Sequence, residues 1–203
     1  MRIAVIGAGN VGRAVGSGWI AKGLSVTWGV RDPESDHGVA PCKTVAEAVT
    51  DADVVVLAVM FHSIEAALVE CGDLNGKVLI DPTNPLTPDG DGLALSLGFE
   101  TSSAEFIAAR TNARVVKSLN QVGATVLADP DGYAVRPIQF VAGDDAEAKA
   151  LVASLVEDLG FEVRDAGPLR AARLLEPLAM VWIDQAMRYG MPADRAWALV
   201  DRQ

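Results

Sequence analysis

Cysteine, histidine and positive charge are all scarce in this chain of 203 residues. With only 2 Cys and 2 His, Cys42 and Cys71 have neither metal-ligand spacing nor the pattern of a disulfide framework, and no metal is expected. They read as reduced, partly buried thiols, which suits a cytoplasmic setting. Lys and Arg together number 17 against 27 Asp and Glu, a formal net charge of -10. Without a compensating basic cluster this argues against a nucleic-acid or anionic-membrane partner. Long apolar runs are missing too: stretches such as residues 178–183 fall far short of the roughly 20 residues that span a bilayer. The chain enters an apolar run at once, with none of the regions of a secretion signal. The expectation is a cytoplasmic protein with no membrane partner.

What is present is a globular composition, 50% hydrophobic and 22% charged, long enough for one compact unit. Apolar, β-branched runs at residues 3–6, 24–28, 54–59, 78–80 and 115–116 alternate with helical stretches, and their nearly continuous hydrophobicity indicates a parallel sheet covered on both faces. Helix starts are marked by Thr44 and Glu47, Ser102 and Glu105, and Asp144 and Glu147, each a capping oxygen followed three residues later by a carboxylate, and the adjacent Asp144 and Asp145 both read as helix caps. The fold class expected is α/β: a Rossmann-type, doubly wound, mainly parallel sheet, with a C-terminal α/β extension ending in long apolar helices. Residues 1–143 form the dinucleotide-binding core and 144–203 the extension, packed on the same unit. Residues 32–41 and 81–97 read as turn-rich loops at strand ends, the second in a ligand-facing position. The last helix, from about residue 168 to 189, contains Pro177, where a kink is expected. Its apolar residues occupy more than one face, which suggests burial against a second subunit and hence a homodimer.

The most informative motif is Gly7, Ala8, Gly9, Asn10, Val11 and Gly12, directly after the first strand and opening a helix. Gly7 permits the tight turn, Gly9 lets the backbone approach a pyrophosphate, and Gly12 lets the helix pack against the sheet. The helix N-terminus then holds the phosphates. At the end of the second strand come Val30 and Arg31, followed by Asp32. An arginine here suits the 2′-phosphate of NADP because its fork donates parallel hydrogen bonds. Asp32 either caps the following turn or points toward the ribose.

Taken with the strand-end sequence from Val30 to Pro33, Asp81 to Leu86, Lys117 to Asn120, and the late segment Asp165, Ala166, Gly167, Pro168, Leu169, the pattern resembles the NADP oxidoreductases that depend on the deazaflavin coenzyme F420. It also resembles the reductase domain of the STEAP metalloreductases. The resemblance covers nearly the whole chain. It implies hydride transfer between NADPH and a flavin-like small-molecule acceptor, most naturally coenzyme F420. It implies that Ala8 to Val11 cradle the pyrophosphate, that Arg31 holds the 2′-phosphate, and that Val59, Met60, Phe61 and His62 border the ribose and nicotinamide. Thr83, Asn84, Pro85 and Asn120 lie at the nicotinamide end. Val30 replaces the serine often found before the arginine, and Met60 a common proline.

Acid–base candidates are few. His62, Lys117, Tyr133 and Tyr189 are each more simply read as structural or remote, and no catalytic residue is assigned. A flavin-like ring needs orientation and proximity more than a dedicated acid. Other readings are an NADPH-dependent flavin or ferric reductase, a small hydroxyacid or imine dehydrogenase with Lys117 as donor, and a redox sensor that binds NADP(H) without turnover.

Overall fold

The computed structural model describes residues 1–202. Five strands run parallel as the apolar runs predict: β1 (Arg2–Ile6), β2 (Ser25–Gly29), β4 (Val54–Leu57), β5 (Val78–Asp81) and β8 (Arg114–Lys117). They are joined by β3 (Cys42–Lys43), β9 (Ile138–Gly143) and β10 (Glu162–Gly167) in an eight-stranded sheet of order β10-β9-β8-β5-β4-β1-β2-β3. From β1 the chain moves outward through β2 to β3, then returns to the other side of β1 and moves outward through β4, β5 and β8. The reversal lies between β1 and β4, where open α/β sheets leave a crevice at their carboxyl edge. β9 runs antiparallel to β8, and β10 parallel to β9, so the last third of the chain extends the same sheet.

One face of the sheet is covered by α1 (Asn10–Ala21), α5 (Ala124–Ala128) and α6 (Ala146–Asp158) around Trp19, Trp28, Val152 and Phe161. The other carries α2 (Val45–Thr50), α3 (Ile64–Cys71) and α4 (Ser103–Ala108) around Ile64, Leu68, Leu79 and Ile107. Residues of β4 and β5 are buried on both sides, which explains why these strands read as unbroken apolar runs rather than alternating ones. The Trp28 indole donates to the Gly12 carbonyl at 3.1 Å, and a Cβ at Gly16 would lie 2.4 Å from the Trp28 ring. β2 and α1 are therefore seated on each other by a tryptophan that fills the space Gly16 leaves and bonds to the backbone at Gly12.

The caps follow local chemistry. Thr44 and Glu47 form a reciprocal capping box, and Ser102 accepts from the Glu105 amide. At α6 the cap is Asp145, whose carboxylate accepts from the Ala148 amide, and not Asp144, which reaches across to accept from the Leu169 amide at 2.9 Å. Of the two adjacent carboxylates read as caps, Asp145 is one, and Asp144 is not because a tertiary donor takes it.

The segment 81–97 is not an open loop. It forms an antiparallel hairpin, β6 (Leu86–Asp89) and β7 (Gly92–Leu95), turning at Gly90 with φ 58°. The hairpin lies against the final helix α7 (Ala172–Arg188), which continues through Pro177. A short 3-10 turn, Leu169–Ala171, precedes α7, so the single helix expected from residue 168 is in two parts. Arg188 clamps the hairpin by pairing with Asp89 at 2.9 Å and Asp91 at 3.1 Å, with Asp184 on its own helix at 2.9 Å. No helix among the described residues is long and apolar enough to cross a membrane. The terminal segment returns to the sheet: Trp197 accepts from the Ile138 amide at 2.8 Å, and the Trp182 indole donates to Arg195 at 2.7 Å.

Gln139 on β9 is fully buried, and neither its Oε1 nor its Nε2 has a hydrogen-bond partner among the described residues. Burying an unpaired amide costs about 1–3 kcal/mol. Gln139→Met, which keeps the length and removes the amide, is expected to stabilise the protein by about 1 kcal/mol or more, read as a higher urea midpoint. A lowered midpoint would contradict this account.

Candidate functional site

The glycine loop, Arg31, and the segments that begin at Ala58, Pro82 and Ser118 all emerge from the carboxyl ends of mutually parallel strands, so sequence-distant motifs share one edge of the sheet. Gly7 has φ 101°, and a Cβ there would lie 2.5 Å from the Ala58 carbonyl oxygen. A Cβ at Gly12 would lie 2.1 Å from the Gly7 carbonyl oxygen. These two glycines are therefore required by the fold itself. Gly9 differs: nothing lies within 4 Å of the position its Cβ would take, so its lack of a side chain serves open space. It is also the N-cap of α1, with no side-chain cap to occupy the helix's first amides. An open, uncapped helix start with an exposed backbone is a cradle for phosphate.

At the tip of β2, Val30 is buried and its amide donates to the Lys43 carbonyl at 2.9 Å, while Arg31 is exposed and forms no ion pair among the described residues. Asp32 is engaged in its own turn. Its carboxylate accepts from the Ser35 hydroxyl at 2.5 Å and from the Glu34 amide at 3.3 Å. The Ser35 hydrogen bond first, and the Glu34 amide second, hold this carboxyl below the usual aspartate range. Of the two roles open to Asp32, the structure displays the cap.

Beyond β4, Met60 is 64% exposed at the strand mouth. Phe61 begins a 3-10 turn, Phe61–Ser63, and stacks obliquely on Phe106 with ring centroids 5.3 Å apart. His62 is exposed. Asn84 and Asn120 meet directly: Asn84 Nδ2 donates to the Asn120 carbonyl, and Asn120 Nδ2 to Asn84 Oδ1, each at 3.0 Å. Asn120 Nδ2 also reaches the Leu175 carbonyl on α7 at 3.2 Å, and Gln121 donates to Asn120 Oδ1. Leu119, with φ 64°, is the chain's one non-glycine residue in the left-handed region among those described. It turns the backbone after β8 so that Asn120 faces Asn84, a strained conformation of the sort that persists where packing enforces it.

Beneath this amide pair lies a buried charge cluster that sequence reading reached only through Lys117. Lys117 Nζ pairs with Asp81 Oδ2 at 3.0 Å and Glu176 Oε1 at 2.9 Å, with all three side chains at most 3% exposed. It also donates to Ser103 Oγ at 2.8 Å and to the Thr83 carbonyl. Ser103 Oγ contacts Asp81 at 2.8 Å and Glu176 at 2.6 Å, and its amide donates to Glu176 at 3.0 Å. Thr83 spends its hydroxyl on Asp81 at 2.6 Å and its amide on the same oxygen at 2.9 Å. Thr83 thus shapes the loop with its polar groups already taken, and buried Pro85 accepts from both the amide and the hydroxyl of Ser96. The signals were present: Asp81 ends an apolar strand, and Glu176 interrupts an apolar helix.

Residues 2–85 match the family described as NADP oxidoreductase, coenzyme F420-dependent. A solved protein from Arthrobacter sp. FB24, described as a candidate F420-dependent NADP reductase, is 34% identical over 99% of this chain and 100% of its own, with a TM-score of 0.89. The chain belongs to this family of NADP-dependent oxidoreductases. A hypothetical protein of Sinorhizobium meliloti is 26% identical, covering 98% of this chain and 96% of its own with a TM-score of 0.78. The metalloreductase STEAP3 of Rattus norvegicus is 28% identical over 88% of this chain, which spans 36% of that protein's length. An imine reductase of Streptomyces aurantiacus, 18% identical, shares the fold with a TM-score of 0.64 over 93% of this chain and 64% of its own.

The open Gly9, the uncapped α1 and the exposed Arg31 fit the NADP of this family. Lys117 does not suit the role of donor to a bound ketone or imine, because its ammonium is enclosed by two carboxylates, a hydroxyl and a carbonyl. Removing its charge leaves buried carboxylates unpaired, so Lys117→Met is expected to cost about 3–5 kcal/mol of stability. The loss should shrink when Glu176→Gln is added, since one uncompensated charge is then gone. Equal losses in the single and double variants, by urea unfolding, would refute the coupling.

Proposed function

We propose that this protein transfers hydride between NADPH and a flavin-like acceptor, with the deazaflavin coenzyme F420 as the favoured acceptor. In this reading Gly7 to Gly12 hold the pyrophosphate through backbone amides, and Arg31 with Val30 behind it receives the 2′-phosphate. Val59, Met60, Phe61 and His62 border the ribose and nicotinamide. Asn84 and Asn120, seated by Thr83 and Pro85, orient the nicotinamide end. The observation that carries the NADP assignment is Arg31, exposed and unpaired at the β2 tip beside an Asp32 already bound to its own turn.

The acceptor assignment is supported by the residues beside the amide pair. NADPH supplies a hydride, and reducing a deazaflavin also takes up one proton, which solvent provides. The chain must then align two flat rings and exclude side reactions, for which a rigid amide pair and an exposed apolar Met60 are suited. We also propose that the protein is a homodimer, with Leu174, Val181 and Met187 on α7 covered by the second copy; these are 69%, 52% and 55% exposed in the single chain. A monomeric mass by light scattering at micromolar concentration would overturn the dimer.

The deciding experiment follows NADPH absorbance with F420, FMN, FAD and ferric chelates offered in parallel, NADH serving as control. Turnover with F420 alone is the expected outcome, and turnover only with FMN, FAD or a ferric chelate would replace the acceptor. Arg31→Ala is expected to weaken NADPH binding by about 1.5–3 kcal/mol, the range for hydrogen bonds to charged groups, and to leave NADH nearly unchanged. Equal weakening of both would refute the 2′-phosphate assignment.

A further inference from the structure

Arg13 is placed where helix stability alone would not put a cation. The helices α2, α3, α4 and α6 carry Glu47, Glu65, Glu105 and Glu147 in their first turns, matching the positive end of the helix dipole, whereas α5 and α7 carry no acid there and the early Arg173 of α7 is neutralised by Glu105 at 2.7 Å. α1 has no acidic residue there and carries Arg13 as its fourth residue. In a chain with 27 acidic and 17 basic side chains, Arg13 nonetheless makes no ion pair among the described residues.

Its side chain is held in place all the same. Nε donates to the Ala8 carbonyl at 2.7 Å, which folds the guanidinium back from α1 toward the glycine loop. On its other side Nη1 lies 3.5 Å from the position of a Cβ on Gly38. Gly38 closes the loop that begins at Arg31. That loop is self-supporting, through the Asp32 carboxylate, the contact of His37 Nε2 with the Asp32 carbonyl at 2.7 Å, and the Gly38 amide donating to Asp36 at 2.8 Å. Arg13 therefore spans the two loops between which the adenine-side ribose of a Rossmann-bound dinucleotide lies. Arg31 stands on one of these loops.

We propose that Arg13 is a second specificity-determining cation for the 2′-phosphate, completing with Arg31 a two-arginine clamp built from both walls of the crevice. The proposal rests on the NADP reading above. One hydrogen bond to Ala8 spends Nε and leaves both terminal nitrogens for phosphate oxygens, a geometry a lysine would not reproduce. It also accounts for a positive charge near the positive end of a helix, a placement unfavourable until an anion arrives.

The test is calorimetric titration of the unaltered protein, Arg13→Gln and Arg31→Ala with NADPH, NADH and 2′,5′-ADP, alongside thermal melting. For Arg13→Gln we expect NADPH and 2′,5′-ADP to weaken about tenfold or more, and NADH by less than about twofold. The melting temperature should change little, the loss of the exposed hydrogen bond to Ala8 being offset by removal of a cation from the positive end of α1. Equal weakening of NADPH and NADH, or no weakening, would overturn the proposal while a selective loss in Arg31→Ala leaves the NADP reading standing. If the unaltered protein does not prefer NADPH over NADH, both fall.

Discussion

The pairing of one buried ammonium with two buried carboxylates is the constraint on which the rest of the molecule depends. Lys117 closes β8, Asp81 closes β5, Glu176 comes from α7, and Ser103 opens α4. Four elements far apart in sequence are thereby fixed at one point. Removing three charges from water is expensive, and their mutual attraction offsets that cost only when each remaining donor and acceptor is also satisfied. Ser103 and Thr83 provide this satisfaction, which is why two small hydroxyl residues are fully enclosed beside the ions. An apolar replacement of the same volume would hold the elements together without dictating direction. The ionic cluster dictates it, because a shift of α7 along its axis would strand Glu176 from both Lys117 and the Ser103 amide.

The amide pair above the cluster inherits this precision. Asn120 reaches the Leu175 carbonyl, one residue before Glu176, so the part of α7 that the cluster anchors also orients Asn120. Asn84 follows Thr83, whose hydroxyl, amide and carbonyl are all engaged by the cluster. Leu119 pays for the arrangement with a left-handed backbone. In the proposed reading the amide pair acts by positioning, which needs this sort of support, since groups that act by orientation contribute in proportion to how little they move. In the proposed reading the phosphate end is built differently, from backbone amides and exposed cations, and meets its ligand through open space instead of through locked side chains.

Much of this was legible in the sequence, and the reason differs by element. The apolar runs at β1, β4 and β5 announced a doubly covered parallel sheet because both faces of each strand are buried. Thr44 and Ser102 announced their helices because capping is settled within four residues. The hairpin at β6 and β7 was hidden by prolines and glycines that read as loop, since a two-stranded ribbon over α7 is stabilised by the helix it covers and not by its own composition. Asp144 was misread as a cap because the amide it serves lies 25 residues away.

By itself the sequence determined the features governed by local sterics and electrostatics: the strand-turn-helix of Gly7 to Gly12, the arginine at the β2 tip, the alternation of strands and helices, and with them the dinucleotide-binding fold. Tertiary structure alone decided which charges meet. It turned Lys117 from a potential proton donor into an enclosed counterion and joined Asn84 to Asn120. It committed Asp32 to its own turn and brought Arg13 against Gly38. The physical reason is that steric and capping preferences act over a few bonds, whereas the partner of a charge depends on distances in space that only the assembled sheet defines.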